Sequence, residues 1–354
     1  MSIVSCIKVS KTSTNPQEIF DAVQKAMEMA HWEKYVKGKN IVLKINAMWD
    51  KLYPSCTTTP MVVEGVIKII LSSKKFKDAK ITIVDGNTVS FMDAGKSFRV
   101  QGMNKLTEKY PVKTINLSHT KFKTISYKEA HILKKIKISQ VLLNADTIIT
   151  IPVPKTHAYS GMTGALKNQW GCIHELRHNY HLVLHPAIVD INKFLSNKLT
   201  FMVMDALFAM EGKGPKNGIP IHVGHILASS DPVALDTAAC QMMGLNPSDY
   251  HYIKYAEKQN LGKMKPHIIG SRLPSYKFAT AQKSNFAMGM EMRIRKIHPI
   301  VEKVVFGETS PLLFALRIAA KVYYDFWYQF MGMKNVKKMM KTNYGTIWKK
   351  YYLS

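Results

Sequence analysis

Residues 147–168 read TIITIPVPKTHAYSGMTGALKN. The opening Thr147–Pro152 is a short apolar, β-branched run closed by proline, the pattern of a strand buried on both faces. A polar segment with Lys155 and His157 follows, then a small-residue turn through Gly161 and Gly164, and then Lys167 and Asn168 at the start of a helix. Strand, turn and helix in that order are the repeating unit of a parallel sheet. Similar β-branched runs occur at Asn40–Ile45, Lys80–Val84, Val112–Leu117, Leu199–Met204 and Gly224–Ala228, and the alternating N-terminus reads as a first strand. This predicts an α/β fold, with a mainly parallel sheet covered by helices. Several runs end on a polar residue (Asn46, Asp85, Asp205, Ser229), and ligands of open α/β sheets lie beyond the carboxyl ends of the strands.

Two helix starts carry a capping residue followed by proline: Thr59–Pro60 and Asp231–Pro232, the second stopped by Gly244. These elements predict an α/β domain over 1–270, divisible into lobes of about 1–150 and 151–270. From about residue 271 the strand signal fades, and residues 311–354 are helical, aromatic and basic. Inside that extension Arg317, Lys321 and Asp325 form a narrow polar stripe on an otherwise apolar helix. Such a helix either buries most of its circumference, against the body or a second subunit of a homo-oligomer, or lies in an anionic membrane interface, where nearby lysines and aromatics would suit it.

The chain has 354 residues, and at 46% hydrophobic it can build a full core. Its formal charge of +26 points to an anionic partner, unless it only reflects a general bias toward lysine. Nucleic acid is disfavoured, since the lysines are spread along the chain without a stacking platform or a recognised motif. The four cysteines are far apart and lack a CxxC pair, so no iron–sulfur cluster is encoded and a reducing, cytoplasmic location is expected. There is no uninterrupted apolar run of spanning length, which leaves peripheral contact with the inner face of a membrane as the alternative for the tail.

Three segments carry candidate chemistry. In the 155–168 turn, Lys155, Lys167, Asn168 and the amides freed by Gly161 and Gly164 would hold an anion, with Lys44 contributing from its strand. His157 would act as acid or base. The spacing is not that of a nucleotide P-loop. Next, His174, His178, His181 and His185 are spaced to share one helical face, where His181 and His185 could bind a divalent metal. The set is not HExxH, and Pro186 is expected to end that helix early. A solvated or core histidine face is the competing reading. Third, MDALFAMEGKGPKNG places Asp205 at a strand end and Glu211 in a glycine-rich loop, as a base or metal contact.

In order, VLKIN, CTTTPMVVEGVI, ITIVDGN, PVPKTHAYSGMTGALKNQWGCI, HPAIVDIN, VMDALFAMEGKGPKNG and LASSDPVALD resemble the DUF362 family of prokaryotic proteins. The resemblance implies an α/β architecture and no settled reaction. Some members carry an added ferredoxin-like module, whose cysteines are missing here. The segment from His157 to Lys167 is also similar to that of nickel-pincer lactate racemases, which implies proton transfer at His157 and cofactor or anion attachment at Lys167. The expectation is an enzyme acting by acid–base chemistry, metal-assisted or not, on an anionic small molecule, a carboxylate or phosphate. The alternative is a non-catalytic scaffold docked through its tail.

Overall fold

The structure is a computed structural model that describes residues 1–12, 14–88, 90–174, 177–281, 293–307 and 309–352. The strands are β1 (Ser2–Lys8), β2 (Asn40–Ile45), β3 (Lys80–Asp85), β4 (Val112–Asn116), β5 (Phe122–Ser126), β6 (Lys135–Ser139), β7 (Thr147–Ile151), β8 (Lys155–His157), β9 (Gly161–Thr163), β10 (Leu199–Glu211), β11 (Ile219–Ser229) and β12 (Pro266–Gly270). Apart from the β5–β6 hairpin they form one ten-stranded sheet, ordered β12-β1-β11-β10-β7-β2-β3-β4. From β10 to β4 every pairing is parallel, while β11 runs antiparallel to both β10 and β1. The protein is therefore α/β with a mostly parallel, mixed sheet.

The period-2 alternation of strand side chains distributes residues between two cores. On one face Ile41, Leu43, Phe201 and Val203 pack with Ile19 and Val23 of helix Pro16–Met29 and with Val63 and Ile67 of helix Pro60–Ser72. On the other, Val42 and Ile148 meet Ile191 of helix Leu184–Leu195, while Met202 and Met204 meet helix Pro232–Met242. Asp231 caps that last helix, accepting the Val233 and Ala234 amides at 2.8 and 2.9 Å, and Gly244 follows it with φ +71°. At the Pro60 helix the Thr59 side chain does not cap; its backbone N–H instead donates to Asp205 Oδ2 at 2.7 Å.

Several boundaries differ from expectation. β10 continues to Glu211 and β11 begins at Ile219, so the glycine-rich segment is the turn of a long hairpin and Asp205 lies within a strand. Most of that hairpin is covered on both faces, β11 opening to solvent only at its start, and the covered residues lack the alternation that would mark a half-exposed strand. The sheet also crosses the division near residue 150, because β1 pairs with β11 and β12. Pro186 lies in the first turn of its helix, where a missing N–H costs nothing, instead of ending one. The C-terminal extension joins the body: Val336, Met339, Tyr344, Ile347 and Trp348 are buried in the first core, and Tyr328 and Trp327 pack on Trp49 and Tyr53.

Candidate functional site

The carboxyl ends of β2, β3 and β7 and the middle of β10 meet at one rim, as predicted, but the residues there divide into two sets. The first set is satisfied within the fold. Lys44 Nζ pairs with Asp85 Oδ1 at 2.8 Å and donates to the Ile45 carbonyl at 2.7 Å, while Asp85 also accepts the Ala47 and Gly86 amides. Asn168 bonds the Lys44 carbonyl at 3.1 Å and Thr150 Oγ1 at 2.7 Å, tying β2 to β7. The amides at the start of the short helix Ala165–Asn168, expected to face a ligand, donate to Asp236 at 2.5 and 3.1 Å. Gly164 makes that approach feasible, since a Cβ there would lie 2.1 Å from Asp236 Oδ1. Gly161, at φ +78°, packs against the Tyr250 ring. These two glycine positions thus hold protein groups.

The second set is a group of cations that make no direct ion pair among the described residues, with Asp85, Asp205 and Asp50 acting on them from farther off. Lys155 is fully buried and its Nζ donates to Asn46 Oδ1 at 3.0 Å and the Cys56 carbonyl at 2.6 Å, both neutral acceptors. Burial pushes its pKa down to about 8, opposed by Cys56 and Asp85. Lys216, brought inward by the β10–β11 turn, is held over the Tyr324 ring at 4.8 Å and is likewise lowered to about 8 by burial. Lys167 falls to about 7, through burial first and then the charges of Lys155 and Arg177. Arg177 donates to the carbonyls of Trp170 and Asn87 and presses on both Lys167 and Lys216. Removing several like charges from water together is costly, and a bound anion would offset that cost beyond what Asp85, Asp205 and Asp50 already do.

His157 faces Lys167 across a hydrogen-bond distance. Its Nδ1 accepts the Tyr159 and Ser160 amides at 3.0 and 3.3 Å, so that nitrogen carries a lone pair. Burial and the neighbouring cations hold the imidazole neutral, well below its usual pKa. Its single proton is therefore on Nε2, which lies 3.0 Å from Lys167 Nζ. For this contact to be a hydrogen bond, Nζ must accept, which requires the neutral amine. The geometry and the lowered lysine pKa agree.

Asp205 is buried and raised to about 6, by burial against the opposing Thr59 and Leu207 amides and the Lys155 charge. Glu211 is set apart: it accepts the Ala279 amide at 2.8 Å and, among the described residues, makes no ion pair with the lysines. The histidine series does not gather on one face. His174 stacks on Phe122, His181 on Tyr159, and His185 lies against His251 and Tyr252. The His178 side chain and Glu175 lie outside the described residues. Among the described residues no group of three or more His, Cys, Asp or Glu could hold a metal ion. Sequence reasoning missed Arg177; its one signal is that it is an arginine in a chain whose basic residues are nearly all lysine. Lys216 was visible only as a loop residue.

Fold and rim together define an α/β protein with a buried cationic site. The chain belongs to the DUF362 family, a domain of unknown function, whose pattern matches residues 41–241. A thylakoid-associated protein of Synechocystis sp. is 25% identical over 222 residues, covering 60% of this chain and 65% of that protein. Among solved structures, the lactate racemase apoprotein of Thermoanaerobacterium thermosaccharolyticum matches with a TM-score of 0.40 and 16% identity, over 69% of this chain and 57% of that one. A Thermotoga maritima protein matches with a TM-score of 0.39 and 14% identity, over 69% of this chain and 59% of its own. This chain thus spans less than two thirds of the length of each.

Proposed function

We propose that the protein is an enzyme that binds a small carboxylate or phosphate among Lys155, Arg177 and Lys216 and transfers a proton at Lys167, oriented by His157. The observation that supports this is the 3.0 Å contact of His157 Nε2 with Lys167 Nζ, His157 Nδ1 being already taken by backbone amides, beside Lys155, Arg177 and Lys216, which make no direct ion pair with a described residue. An entering anion supplies the missing negative charge. It also raises the proton affinity of the Lys167 amine, so that the base strengthens only once the ligand is bound. Nζ then gives up the His157 Nε2–H bond, turns its lone pair to the bound molecule and accepts a proton from it, and the resulting ammonium is stabilised by the anion it faces. Asp205 acts as a positioning residue, anchoring the Thr59 turn beside Lys155.

Competitive acetylation of amines over a pH series, followed by peptide mass spectrometry, tests this directly. Lys167 should label with a midpoint near its lowered value of about 7, far under that of exposed lysines, and inorganic phosphate or acetate should move the midpoint upward. An ordinary lysine midpoint at Lys167, or one indifferent to both anions, would rule the reading out.

A further inference from the structure

The helix Pro311–Trp327 is amphipathic in the inverted sense. Its polar stripe faces the body: Asp325 pairs with Lys321 at 2.7 Å and with Lys51 at 3.3 Å, and the Arg317 guanidinium lies 3.9 Å from the Phe91 ring centroid. The outward face carries Leu312, Leu316, Val322, Tyr323 and Phe326, continued by Phe330 just beyond the helix, all exposed, with Val322 and Phe326 more than 60% accessible. Contiguous large apolar side chains turned to solvent mark an interaction surface. A π turn at Tyr328–Gly332 leads into helix Met333–Met340, where the exposed residues become Lys334, Lys337 and Lys338, followed by Lys341.

We propose that this face docks on an anionic lipid bilayer, with the aromatic and aliphatic side chains in the acyl boundary and the lysines among the headgroups. Charge complementarity selects the bilayer over a second copy of the chain. An apolar stripe continued by lysines is the pattern of an interfacial helix, and two molecules each carrying +26 would repel at a shared face. No helix among the described residues is long and apolar enough to cross a membrane, so the contact would lie in the plane of the interface. The same helix borders the cationic site, through Lys216 over Tyr324 and Asn217 Nδ2 on the Tyr323 hydroxyl at 3.2 Å.

The test is flotation of the full chain with phosphatidylcholine vesicles, with and without phosphatidylglycerol, and light scattering of the free protein. The wild type should float with the anionic vesicles. A Leu316→Ser, Val322→Ser, Phe326→Ser variant should keep its circular dichroism and melting profile and lose recovery at least tenfold. A Lys334→Gln, Lys337→Gln, Lys338→Gln variant should lose about tenfold or more on anionic vesicles only. Equal recovery of wild type and apolar variant overturns the proposal. So does a dimer that the apolar variant dissociates when no vesicle recovery is seen.

Discussion

Replacing Lys155 by methionine removes one of three depressed lysines, and its effect should depend on pH. Lys155, Lys167 and Lys216 have folded pKa values of about 8, 7 and 8, against 10.5 in an ordinary lysine. Well below pH 7 they are protonated in both states and their burial penalty is complete. Between about pH 7 and 10.5 the folded protein has shed protons that the unfolded chain retains, so stability rises with pH. The raised carboxyls, Asp205 at about 6 and Asp236 at about 7, have their effect mostly below that window. The urea midpoint of the wild type should therefore increase over the window, less so in Lys155→Met, and saturating phosphate should flatten the increase. A falling wild-type midpoint would contradict the depression of the three lysines. Lys155, His157 and Lys167 were legible because one strand–turn–helix segment places all three. The satisfaction of Lys44 was not, since its partner Asp85 ends a neighbouring strand and only the β2–β3 register brings them together. Arg177 is held by the Asn87 and Trp170 carbonyls, contacts that spacing does not encode.

Among the elements, the short helix at Ala165 depends on Asp236 beneath its first amides. Gly164→Ala would drive a methyl into that carboxylate and should cost about 1–3 kcal/mol in urea unfolding. Combined with Asp236→Ala the two losses should not add, because they share one contact, and additive losses would place the effect elsewhere. Asp231→Ala should cost about 1–2 kcal/mol by the same measurement, since the side chain caps the Pro232 helix and also accepts the Lys263 amide. Capping at Asp231 was readable from Asp–Pro alone. The identical logic at Thr59 predicted the helix start correctly but not the bond, because Asp205, far along the chain, takes the amide. Strand positions were well predicted wherever apolar runs were bounded by turn residues. The hairpin of β10 and β11 ran longer than expected because burial on both faces removes the pattern that would have marked its ends.

Across the whole molecule, composition left two places open for the C-terminal extension, burial against the body or a subunit and a membrane interface. Part of it is buried against the body: Tyr344 and Trp348 are fully covered, and the Trp348 indole donates to the Gln101 carbonyl at 3.1 Å. Trp348→Ala should cost about 3–5 kcal/mol, seen as a lowered urea midpoint, whereas the exposed substitutions on the Pro311 helix should leave the midpoint unchanged. A sequence shows which residues are apolar but not which of two helices has a wall to lean on.

The burial of Trp348 has a consequence for how the protein is made. β1 leaves the ribosome more than two hundred residues before its neighbours β11 and β12, and the residues that seal the first core follow later still. The nascent chain must therefore carry an unpaired strand edge and an open apolar face until Trp348 has emerged, the condition under which aggregation competes with folding. Ribosome-bound chains halted just before residue 343 should be digested readily by protease, while released chains that include the helix Asn343–Tyr352 resist. Termination within that helix should yield a product cleared by quality control instead of a shortened working protein.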